Sequence, residues 1–193
     1  MELFDIRNWF AHNLCDYLRE GEERALKELK EAVDAILKGS FPIPHLELKE
    51  QDLDPFTEEF LREKATSYRE FLKDLKEDFE PTQEDIGRSV EVASLLFEKG
   101  LYFEVHELLE EVWMGEFGKN RDFLQALIQI GTAYYHLKNF NVRGFELLID
   151  NALELLDGYK GELFGVNVDA LKENLKKAKE TQEPISLKGK VEN

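Results

Sequence analysis

The chain has 193 residues, 42% of them hydrophobic, enough for one medium domain or for a domain with a substantial extension. Twenty-five basic residues against 41 acidic ones leave a formal charge of −16, a field that repels phosphate backbones and anionic membranes alike. The single cysteine, Cys15, excludes an intramolecular disulfide framework and a thiolate cluster for zinc.

No stretch approaches the roughly 20 apolar residues that cross a bilayer, and Met1-Glu-Leu-Phe-Asp has no basic leader region. The expected setting is therefore cytoplasmic, without membrane or nucleic-acid partners. Five prolines and twelve glycines are too few for a strand-rich fold with many turns. Lys, Glu and Leu are good helix formers, so the expected class is all-α.

In chain order, Leu3, Ile6, Phe10, Leu14 and Tyr17 recur at helical spacing over residues 2–20. A second helix is predicted from Glu22 to Lys38, stopped by Gly39. Ser40 to His45 reads as a loop, with His45 on the surface. Asp54 then caps a helix that starts at Pro55 and ends near Phe79. Pro81 marks a boundary, after which Thr82 is the expected cap of a helix ending at Gly100. Four more helices are predicted at about 101–115, 119–138, 142–157 and 168–180. Their short links favour antiparallel neighbours.

The expected architecture is thus a compact helical bundle of about five helices over residues 81–181, with an added helical region over 1–80 and a polar tail over 182–193. The N-terminal helices would be the surface for a second copy or another protein partner.

The helix from Tyr102 to Trp113 carries the most pointed chemistry. On an ideal wheel stepping about 100° per residue, His106, Glu110, Trp113 and Tyr102 fall on one apolar side. Glu104, Glu107 and Glu111 fall on the other, predicted to be solvated. An unpartnered buried carboxylate is costly, so Glu110 requires a cation, a donor or a proton. The following helix is apolar nearly all round, yet Arg121, Gln125, Gln129, Thr132 and His136 form a narrow polar stripe. The simplest arrangement faces that stripe toward His106 and Glu110.

Three readings compete. A satisfied polar network would have Arg121 or a glutamine amide neutralise Glu110 and only fix packing. A divalent-metal or small-ligand site would take His106, Glu110 and His136 as ligands, a mixed set suited to zinc, iron or manganese. Trp113 and Tyr102 would then wall the site, with Arg121, Gln125 and Gln129 behind the ligands. A hydrolytic site would use His106-Glu107-Leu-Leu-Glu110 as a zincin-like helix with Glu107 as general base; the wheel, which turns Glu107 to solvent, argues against it. Elsewhere, His12 and Asp16 read as a surface pair and Cys15 as a core residue. There is no glycine-rich phosphate loop, serine nucleophile elbow or pair of Glu-x-x-His motifs.

Tyr102-Phe-Glu-Val-His106-Glu-Leu-Leu-Glu110-Glu-Val-Trp113, followed by Phe123-Leu-Gln-Ala-Leu-Ile-Gln-Ile-Gly131, resembles the domain-of-unknown-function family 309. His106, Glu110 and Trp113 match its H-x-x-x-E-x-x-W motif, and the resemblance runs over roughly residues 85–157. It implies an all-helical domain with a proposed role in metal binding, and no particular substrate. Ala126 stands where glycine is expected, a departure that bears on helix packing.

Overall fold

The computed structural model describes residues 1–190 and divides into two compact units, Met1–Gln83 and Glu84–Asn193. Among the described residues there are eight α-helices, one 3-10 turn and one two-stranded hairpin. None of these helices is long and apolar enough to cross a membrane.

The first unit holds α1 (Leu3–Glu20), α2 (Glu23–Lys38) and α3 (Pro55–Asp74). In α1 the spacing of Ile6, Phe10, Leu14 and Leu18 produces one fully buried stripe. Gly21, at φ 72°, ends α1 in the left-handed conformation, and Gly39, at φ 68°, ends α2 in the same way. Asp54 caps α3 by accepting the Thr57 N–H at 2.7 Å, with Pro55 in the first turn. That helix stops at Asp74, earlier than its apolar pattern suggests, and residues 76–80 run on without helix. Phe10 and Tyr68 meet edge to face at 5.1 Å and join α1 to α3. The loop between α2 and α3 buries Ile43, Leu46 and Leu48 before a 3-10 turn at Glu50–Asp52.

The second unit contains α4 (Ile86–Glu98), α5 (Tyr102–Met114), α6 (Arg121–Lys138), α7 (Val142–Leu156) and α8 (Val168–Thr181). Asp85, and not Thr82, caps α4: its carboxylate accepts from the Arg88 N–H at 2.9 Å. Thr82 instead donates its backbone N–H to the Leu18 carbonyl at 2.9 Å.

Helix α6 is the centre of this unit, packed on α5 on one side and α7 on the other. Its Phe123, Leu124, Leu127, Ile130 and Ala133 are all fully buried, as an all-round apolar helix requires. Gly131 fixes the α5–α6 crossing, because a Cβ there would lie 2.9 Å from Val105 Cγ1. Phe97, Tyr102, Tyr134 and Phe145 stack across α4 to α7 with successive ring contacts.

Between α7 and α8, Glu162–Leu163 (β1) pairs antiparallel with Val166–Asn167 (β2), a hairpin with no counterpart in the sequence pattern. Beyond α8 the chain returns to the unit. Leu187 is buried, the Tyr134 hydroxyl donates to the Glu183 carbonyl at 2.6 Å, and the Asn167 N–H donates to the Lys188 carbonyl at 2.9 Å. Gly189 passes so close to β2 that an added Cβ would lie 2.3 Å from the Asn167 carbonyl oxygen.

Candidate metal centre

The residues of α5 that face the unit's interior are Val105, Leu108, Leu109 and Val112, together with Glu104. This corrects the expected orientation of the helix. His106, Glu107 and Glu110 lie along its half-exposed flank, their side chains 31%, 23% and 40% exposed. Glu104, assigned by the wheel to solvent, is completely buried.

The cause is steric. The expected face, with His106 and Glu110 in its middle, took much of its apolar character from Tyr102 and Trp113, both large and amphipathic, and such rings tolerate a partly wet rim. The close approach at Gly131 selects a slim aliphatic side chain instead, and Val105 fills that place. Rotating α5 to put Val105 at the crossing moves His106 and Glu110 to the edge.

At that edge three side chains converge. His106 Nε2 lies 3.2 Å from Glu110 Oε2, and His106 Nδ1 lies 3.5 Å from Glu107 Oε1. One ligand atom from each of the three falls within 4.8 Å of the others. Local helix geometry explains the grouping: positions i, i+1 and i+4 occupy an arc of about 100°. The imidazole also borders the Phe103 ring, 6.0 Å between centroids, and Phe103 in turn borders Tyr135 at 5.8 Å. Glu107 is therefore part of the cluster, which removes the reason for placing it in the solvated face.

The other predicted site residues are distributed differently. His136 sits near the C-terminal end of α6, where its Nδ1 meets the Asn141 side-chain amide at 3.2 Å, outside the three-residue cluster. Arg121 does not neutralise Glu110. Its guanidinium donates to the carbonyls of Trp113 at 3.0 Å and Glu116 at 2.7 Å, and lies 4.0 Å from the Trp113 ring centroid. Positive charge at the negative end of α5 is favourable, and the stacked ring strengthens it.

Gln125 and Gln129 line an open cleft with residues of α7 and the turn after it. Within the polar stripe of α6, Gln125 and Gln129 thus line a cleft with α7, while Arg121 reaches the end of α5. Thr132 spends its hydroxyl on the Ile128 carbonyl at 3.1 Å. Tyr102 joins the aromatic stack, and burial pushes its phenol above the usual tyrosine range. Burial does the same to Tyr134 more strongly, with the neighbouring Tyr102 adding to the effect.

Sequence reasoning missed Glu107 as a cluster member and Glu104 as a buried residue. Glu104 carried a signal: on the wheel it lies about 40° from Leu108, within reach of the true buried face.

The donor set is one imidazole and two carboxylates, chemically suited to zinc, iron(II) or manganese(II). One ion takes only one ring nitrogen of His106, so bonds of about 2.0–2.2 Å to it require that nitrogen and one oxygen of each carboxylate to draw together from a present spacing of up to 4.8 Å. All three donors come from one helix, so the remaining coordination positions would be open to water or a small ligand.

Comparison with known proteins agrees with the motif. The model of a family described as "Domain of unknown function (DUF309)" matches residues 90–148. The chain is 38% identical over 56 residues to "Uncharacterized protein YpuF" of Bacillus subtilis (strain 168), a stretch covering 28% of this chain and 32% of that protein. The chain thus spans about a third of that relative's length. No solved structure matches the chain. The family likeness is therefore shown over residues 90–148, the stretch that contains His106, Glu110 and Trp113, where the chain matches the domain-of-unknown-function family DUF309.

Proposed function

We propose that this protein binds one divalent transition-metal ion through His106, Glu107 and Glu110, leaving open coordination positions for a small ligand. The observation that carries this reading is the convergence of one imidazole and two carboxylates within 4.8 Å at a half-exposed helix flank. Arg121, the cation that a purely structural network would use against Glu110, is committed to carbonyls at the end of α5. When bound, the ion supplies Lewis acidity to whatever occupies its open positions. Within the chain, Phe103 restrains the His106 ring, and the two carboxylates hold negative charge beside its nitrogens.

Elemental analysis of protein purified without a chelating tag tests the reading, combined with titration of the metal-stripped protein by zinc, manganese(II) and iron(II). One equivalent of metal, lost in His106→Ala, is the expected result. Absence of bound metal, together with no thermal shift on adding any of the three ions, would leave the cluster as a surface ion-pair group.

A further inference from the structure

After α8 the chain reverses at Gln182, which takes the left-handed conformation at φ 59° although it carries a side chain. Few residues with a Cβ adopt that region, so the reversal turns on one unusual residue. Residues 183–190 then run back over the second unit without helix or strand. Pro184 has no N–H to donate, and the hydrogen bonding within the segment forms one turn, in which the Ser186 carbonyl accepts the Gly189 N–H at 3.0 Å. What holds such a segment in place comes from the elements beneath it.

Those attachments gather at its two ends. At the near end the Glu183 carbonyl accepts the Tyr134 hydroxyl at 2.6 Å. At the far end three successive residues each make a different contact. Leu187 is 1% exposed. Lys188 accepts the Asn167 N–H on its carbonyl and pairs its ammonium with Glu91 of α4. Gly189 lies against the backbone of Asn167 and Leu171, where an added Cβ would have no room. Between the ends the segment arches. Pro184, Ile185 and Ser186 stand with Ala178 and Thr181 of α8 around an open space of about 170 Å³, so this part bridges α8 without packing down on it.

An arch attached at its ends separates from its support by losing a short set of contacts. Here they are the Leu187 side chain, the bonds from Tyr134 and Asn167, and an ion pair with the largely exposed Glu91. None of them is a hydrogen bond within α4, α5, α6 or α7, so those helices keep their own ladders when the segment lifts. The far-end contacts are adjacent in sequence, so unseating Leu187 withdraws Lys188 and Gly189 with it. Three groups are then uncovered together: the Asn167 N–H of β2, the apolar seat of Leu187, and the Tyr134 hydroxyl beside the rings of Phe97, Tyr102 and Phe145.

We propose that residues 183–190 are a hinged strap, which docks to tie α8 and the β1–β2 hairpin to α4 and α6, and lifts as one body about Gln182 while α4–α7 stay folded. Lifting bares an apolar seat beside a free backbone donor, the combination that receives an extended chain.

Hydrogen exchange on the full chain tests this, read at the Asn167 and Gly189 amides and at the Leu127 and Ile130 amides in the centre of α6. In the unmodified protein, protection at Asn167 and Gly189 should be similar, and lower than at Leu127 and Ile130 by about 100-fold or more. Leu187→Asp puts a charge into the apolar seat and should abolish protection at Asn167 and Gly189, with that of α6 retained. Glu91→Lys, a change at an exposed position, sets like charges against each other at Lys188 and should lower protection at the same two amides by about fivefold. Equal protection of the strap and α6 amides in the unmodified chain would overturn the proposal, because the segment would then leave only on global unfolding. If Leu187→Asp loses its α6 protection as well, Glu91→Lys decides: a selective fall at Asn167 and Gly189 supports the strap, and unchanged protection there rules it out.

Discussion

The Arg121 guanidinium lies 4.0 Å from the centroid of the Trp113 ring and donates to the Trp113 carbonyl at 3.0 Å. One side chain at the start of α6 thus closes the end of α5 by charge, hydrogen bond and ring contact together. Arg121→Ala is expected to destabilise the second unit by about 2 kcal/mol, combining a charged hydrogen bond with a cation–π contact. Arg121→Lys should recover less than half, because an ammonium cannot span both carbonyls while lying flat on indole. Chemical denaturation of the three proteins measures this; equal stability of the lysine variant and the parent would contradict the account.

Gly131 gives a packing prediction of the opposite kind. Alanine normally favours a helix interior by roughly 1 kcal/mol over glycine. Here the new methyl would lie 2.9 Å from Val105 Cγ1 and 3.4 Å from the Tyr102 carbonyl. Gly131→Ala should therefore destabilise by about 1–3 kcal/mol through overpacking. Adding Val105→Ala relieves part of that clash, so the double variant should cost less than the sum of the singles. Strict additivity would show that the two residues are not in contact.

Alkaline pH probes the aromatic core. The Tyr134 phenol is raised well above its ordinary value of 10.0, chiefly by burial and then by Tyr102. A group whose folded pKa is raised contributes stability that is complete below the unfolded value. From about pH 10 the unfolded chain binds fewer protons than the folded one, so stability falls as pH rises further. Tyr134→Phe should flatten that alkaline decline while costing about 1 kcal/mol at neutral pH, the worth of its hydrogen bond to the Glu183 carbonyl. Denaturation midpoints between pH 8 and 11 would reveal it; an unchanged alkaline slope in the variant counts against the assignment.

The two candidate ligand sets can be told apart by substitution. Glu107→Gln and Glu110→Gln should each weaken metal binding by about tenfold or more, as loss of a charged ligand does. His136→Ala should leave it unaltered, since His136 bonds to Asn141 at the turn between α6 and α7. Metal-dependent thermal shifts of these variants distinguish the cluster on α5 from a two-helix site. A shift that vanishes with His136→Ala would restore the two-helix arrangement.

By itself the sequence determined that the chain is helical, where most helices begin and end, and which segment carries the family motif. Those features are local: Asp54 and Pro55 start α3, Gly21 and Gly39 end α1 and α2, and apolar spacing sets helix length. Tertiary structure decided the rotation of α5 about its own axis. Periodicity fixes the separation of residues around a helix, and where aromatics widen the apolar arc it leaves more than one face able to turn inward. Close packing of Val105 against Gly131 selected the face that buries Glu104 and brings His106, Glu107 and Glu110 to the rim. The same packing explains the glutamines. With α5 already against its aliphatic side, α6 turns Gln125 and Gln129 toward α7 and into the cleft. The pair His106 and Glu110 was legible in the sequence, while its third member, its exposure and its separation from His136 depended on how the helices pack.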